Sequence, residues 1–105
     1  MKQVSCLEIS NKLSMIQFNK EYSINKDKGT IYFEKINKEI IAAVYFRGTI
    51  TAKWVDDTLK GTFYDAVGDG FGLIEFTFTP DGFDAKWKGG LKEGPMKGQW
   101  TGKIS

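Results

Sequence analysis

The amino-acid sequence predicts an all-β fold, a small antiparallel up-and-down barrel of about eight strands forming a single domain over residues 1–105. Three observations predict it. From residue 29 onward apolar side chains recur at every second position, the period of a half-buried strand and not of a helix. The runs are short, rich in β-branched and aromatic residues, and separated by Gly, Asp and Pro. Near the C terminus Gly alternates with large aromatics, as in GQWTGK, and a small closed sheet lacks the interior volume for a bulky side chain at every inward position. Short strands joined by tight turns form a meander, and closing it removes two edges that would otherwise invite aggregation. The rivals are a two-layer sandwich and a half-open barrel with a short N-terminal helix.

The N-terminal residues 1–28 admit two readings. Strands over VSCLEIS and LSMIQF are favoured over a short helix in SNKLSMIQFNKEY starting near Ser10, and NKEYSINKDKG reads as a polar loop. In GTIYFEK, Ile31 and Phe33 share one face. In EIIAAVYFR the even positions Ile40, Ala42, Val44 and Phe46 form a fully apolar row. Arg47-Gly48 bends the chain into TITAKWV, where Ile50, Ala52 and Trp54 alternate with polar residues, and Asp56-Asp57-Thr58 turns it back through LKGTFYD with Leu59, Gly61 and Phe63 on one face. FGLIEFTFT follows, with Ile74, Phe76 and Phe78 aligned. Pro80-Asp81-Gly82 is a strong hairpin signal, because Pro presets a turn dihedral and Gly is free to take positive φ. Phe83, Ala85 and Trp87 share the next inward face, and the last strand, KGQWTGKI, alternates Gly98, Trp100, Gly102 and Ile104.

One phrase is written twice: AKWVDDTLKGTF at residues 52–63 and AKWKGGLKEGPMKGQW at residues 85–100. Each copy places an inward Trp at the end of a strand, a turn, and an inward Gly or aromatic in the returning strand. Gly61 and Gly98 are expected to be gaps that receive the rings while easing strand curvature.

Composition narrows the function. A chain of 105 residues with fifteen aromatics can bury one sizeable core. The lone Cys6 makes no internal disulfide, no N-terminal apolar run resembles a signal peptide, and no stretch reaches the roughly 18 apolar residues of a membrane helix, so a soluble cytoplasmic protein is expected. The absence of histidine removes the commonest general base and nitrogen ligand, so neither an enzyme, a metal site nor a cofactor is expected. Asp65 and Asp69 bracket the loop DAVGDGFG, which lacks the spaced acidic residues of a calcium loop and leads into a strand, not into a phosphate-binding helix. Turn formation is the plainer role for both.

The arrangement GLIEFTFTPDGFDAKWKGG followed by GQWTGK, within residues 48–104, is similar to calycin-type meander barrels of the avidin-like and lipocalin-like kinds. The resemblance implies a small molecule held at the barrel mouth. No ligand-binding set matches position by position, so none is carried over, and the chain is shorter than typical members.

The expected function is therefore non-enzymatic binding, with a small molecule at a Trp- and Phe-rich mouth. Trp54, Trp87 and Trp100 are the candidate apolar wall, Tyr45 and Tyr64 the hydrogen-bonding rim, and Arg47 the sole guanidinium for gripping an anion. The alternative is a protein-interaction module, an oligomeric inhibitor or adaptor, acting through a strand edge or the Lys-rich end, where residues 86–105 hold five lysines against Glu93; a homo-oligomer fits either role. Single-stranded nucleic acid ranks lower, since one Arg and eight acidic residues in the second half of the chain suit it poorly.

Overall fold

The computed structural model describes residues 16–18, 20–25, 28–92 and 94–104. Eight strands follow in chain order: β1 (Glu21–Ile24), β2 (Gly29–Lys35), β3 (Ile40–Tyr45), β4 (Gly48–Val55), β5 (Thr58–Asp65), β6 (Gly70–Thr79), β7 (Gly82–Gly89) and β8 (Gly98–Ile104). Each pairs antiparallel with the next, and β1 pairs with β8, so the meander closes into a barrel. Two-residue turns at Phe46-Arg47, Asp56-Asp57 and Pro80-Asp81 join three of the hairpins. Asp56 takes positive φ (56°), as the primed class of hairpin turn uses, whereas the turns at Phe46-Arg47 and Pro80-Asp81 do without it. Gly82 does not take it either; it is needed for space, since a Cβ there would stand 1.8 Å from the Gly102 carbonyl oxygen.

Two expectations are corrected. The segment NKEYSINKDKG, read as a loop, contains β1, whose Tyr22 and Ile24 are fully buried. Only two apolar residues alternate there, too few to signal a strand; pairing with β2 on one side and β8 on the other creates it. In β3 the inward row is Ile41, Ala43 and Tyr45, while Ile40, Val44 and Phe46 are exposed. Both rows of that strand are apolar, so its register is decided by its neighbours, which set Ala43 beside Phe33 and Ile50. VSCLEIS, Cys6 and the start of LSMIQF lie outside the described residues. Ile16 to Phe18 form neither strand nor helix; Ile16 is buried and Phe18 packs on the core.

The barrel has two unlike ends. At the base, where β2–β3, β4–β5 and β6–β7 turn, the rings of Tyr22, Phe33, Phe76, Phe78 and Phe83 interlock with centroids 5.1–6.4 Å apart, mostly edge to face. The Tyr22 hydroxyl accepts a hydrogen bond from the Gln17 amide (2.9 Å), tying the incoming segment across this end, and burial pushes its phenol above the ordinary range. At the mouth the remaining four hairpins meet.

Glycine makes room for the rings by a repeated device. Trp87, Phe83 and Phe63 sit directly across from Gly98, Gly102 and Gly72 in adjacent strands. A Cβ at Gly98 would fall 2.0 Å from Trp87, at Gly102 2.1 Å from Phe83, and at Gly72 2.6 Å from Phe63. Each ring lies over the glycine opposite it. Gly61 differs from expectation: the closest neighbours of its missing Cβ are Thr51 and Ala52 of β4, with the Thr51 carbonyl oxygen at 2.0 Å.

Candidate functional site

A partly open cavity of about 310 Å³ occupies the mouth. Its walls are aromatic: Tyr45 ends β3, Phe46 sits in the following turn, Phe63 lies on β5, and Trp87 and Trp100 come from β7 and β8. The rings are fixed by one another. Phe63 meets Trp87 edge to face at 6.2 Å, and Trp100 meets Tyr45 at 5.5 Å and Phe46 at 6.1 Å. Phe46 folds back from its turn over Gly29, where a Cβ would stand 2.5 Å from its ring.

Charge enters through Lys28, Arg47 and Asp65. Asp65 closes β5 and organises the next turn, its Oδ1 accepting the amides of Val67 (3.0 Å) and Gly68 (2.9 Å). Its Oδ2 accepts Arg47 Nε at 2.7 Å, and the Arg47 carbonyl takes the Ala66 amide. The two turns are thereby locked together. The Arg47 hydrogen bond, followed by the Gly68 and Val67 amides, holds the Asp65 carboxyl below the ordinary carboxylate range. Tyr45 donates its hydroxyl to the Tyr64 carbonyl (3.3 Å); burial and the nearby Asp65 charge push its phenol up, partly offset by Arg47, so it remains a neutral donor.

The six expected site residues divide. Tyr45, Arg47, Trp87 and Trp100 line the cavity. Trp54 does not: it ends β4 at the base, 6.0 Å from Phe78, because β4 and β7 run in opposite directions and carry the two copies of AKW to opposite ends. Tyr64 points outward, donating to Asp69 Oδ1 (3.1 Å), and contributes to the mouth only its backbone carbonyl. Phe46, Phe63, Lys28 and Asp65 also line the cavity without being expected there, Asp65 being expected only to form a turn. Phe63 was legible as an inward ring near a strand end and Phe46 as the neighbour of Arg47 in a turn, whereas Lys28 arrives from a hairpin that depends on β1.

The indole nitrogens of Trp54 and Trp87 are buried with no hydrogen-bond partner among the described residues. Trp87 presses its Nε1 edge onto Gly98.

Outside the barrel, a row across β4 to β7 carries Lys53, Lys60, Glu75 and Lys86, with Ile40 beside it on β3, while a second row nearer the mouth reads Tyr32, Val44, Thr49, Tyr64 and Phe71. No helix is long and apolar enough to cross a membrane among the described residues. No family profile matches the sequence, and no curated protein or solved structure is significantly similar to it.

Proposed function

We propose that this is a non-enzymatic binding protein, a calycin-type barrel that holds a small molecule at its mouth. The observation that carries the reading is the contrast between a base of interlocking rings and a mouth that keeps about 310 Å³ open behind aromatic walls. Concave, mainly apolar sites with a few convergent polar groups are where small ligands bind, and this volume is near the low end of their roughly 300–1,000 Å³ range. Apolar residues inside and a charged row outside suit an aqueous setting, in keeping with a cytoplasmic protein.

Native mass spectrometry of protein purified gently from its own cells tests the reading. A retained small mass that disappears in Trp100→Ala supports it; bare protein whose melting temperature no metabolite fraction raises overturns it.

A second reading is favoured by one feature, the outward row Tyr32, Val44, Thr49, Tyr64 and Phe71, in which Val44 and Phe71 are more than half exposed. Such a patch suits a protein partner or a second copy of the chain. A partner pairing along a strand edge has less support, because closure occupies the edges. Nucleic acid has the least, because Trp87 and Trp100 face inward and offer no stacking platform.

A further inference from the structure

We infer that the mouth selects planar aromatic anions: a mono- or bicyclic ring bearing one carboxylate-like group. The inference rests on the small-molecule reading above and deepens it.

Shape comes first. The cavity is bounded by ring faces and edges from four strands, and these rings hold one another in place, so they present a preformed aromatic slot. A flat ring fills such a slot with offset or edge contacts and little ordering of the walls. A long flexible chain would leave the flat walls poorly covered in a space this small.

Charge decides the substituent. Among the described residues the cavity is lined by two cations, Lys28 and Arg47, and one carboxylate, Asp65. That carboxylate is already saturated by the Val67 and Gly68 amides on one oxygen and Arg47 on the other. Asp65 therefore acts as an orienting group for the guanidinium, and Gly68 completes the seat: a Cβ there would stand 3.2 Å from Arg47 Nη2, so the glycine lets the guanidinium lie against the turn. With Asp65 offsetting one of the two cations, the described lining keeps a net positive charge, which a neutral ligand would leave unpaired and a cationic one would meet as repulsion. An anion gains charge-assisted contacts beside low-dielectric walls.

The test uses three probes of one shape: 2-naphthoate, neutral 2-naphthamide and 2-naphthylmethylammonium, titrated into labelled protein while the amide signals of Tyr45 and Arg47 and the Trp100 indole signal are followed by NMR. We expect 2-naphthoate to move these signals and bind at least about tenfold more tightly than the amide, with the cation weakest. The preference should collapse in Arg47→Met and shrink in Lys28→Met, whose exposed side chain is safe to replace without unfolding. If the amide or the cation binds the mouth as well as naphthoate, or the preference survives both variants, the anion assignment is overturned while the small-molecule reading stands. If none of the three moves the signals, the ligand class is wrong; the small-molecule reading falls with it only if a metabolite extract of the source cells also leaves them unmoved.

Discussion

The base and the mouth of this barrel are built from the same materials and reach opposite results. At the base, Phe33, Phe76, Phe78 and Phe83 arrive from three strands and interlock, while Ile16 and Phe18 pack against the core. At the mouth, Trp87 and Trp100 are equally large, yet each is drawn aside: Trp87 onto Gly98 and Phe63, Trp100 onto Tyr45 and Phe46. The same phrase, Ala-Lys-Trp, serves both ends. Its copy in β4 packs Trp54 on Phe78, and its copy in β7 makes a wall. Both ends use a ring laid on a glycine, Trp87 on Gly98 and Phe83 on Gly102, so what differs is the other rings each one meets: Phe83 meets four, Trp87 meets Phe63.

The strongest way to break this contrast is to empty the base. Phe76→Ala removes a fully buried ring at the centre of the cluster and should destabilise by ~3–5 kcal/mol. Trp87→Ala, which only enlarges an existing cavity, should cost clearly less. Urea unfolding of both variants decides it, and equal losses would mean that the mouth is packed as tightly as the base.

Filling the mouth from behind comes next. Gly98→Ala puts a methyl 2.0 Å from the Trp87 ring and should cost roughly 1–3 kcal/mol by overpacking. In the double variant Gly98→Ala/Trp87→Ala much of that loss should vanish. Additive losses in the four-variant cycle would show that the ring does not need this glycine.

Acid should affect both ends in the same direction. Asp65 at the mouth, held chiefly by Arg47, and Asp81 at the base, held chiefly by Lys103 (2.9 Å) and then Thr79, both have lowered carboxyl pKa values. A lowered folded value means that each contributes stability above the unfolded pKa of about 3.9 and loses it as pH falls through the folded value. Thermal melts between pH 7 and pH 2 should therefore show a smaller acid-induced fall in Asp65→Asn than in wild type. Asp81→Asn should change the profile less, since its pair with Lys103 is far more exposed. The reverse order would argue against the Arg47–Asp65 lock.

The smallest effect is expected at Tyr64. Tyr64→Phe removes an exposed hydroxyl contact with Asp69 and should change stability by less than about 0.5 kcal/mol, leaving the proposed mouth binding intact because only the backbone carbonyl faces Tyr45. A large loss of ligand binding would return this side chain to the site.

Seven of the eight strands were legible in the sequence, because alternation is a property of each strand alone and Gly, Asp and Pro mark the turns between them. β1 was not, because two apolar residues among lysines and asparagines become a strand only between β2 and β8. The inward face of β3 was not, because both of its rows are apolar. Of the site, Tyr45, Arg47, Trp87 and Trp100 could be chosen by residue type and position near strand ends, whereas Trp54 and Tyr64 satisfied the same criteria and lie elsewhere.

The sequence by itself determined an all-β meander with one inward aromatic face, since a period of two and turn-forming residues act within a few positions of the chain. Only the tertiary structure decided which end holds the cavity and which charges stand beside it. Those depend on strand direction, on which ring lies over which glycine, and on hairpins far apart in sequence that meet only when the barrel closes.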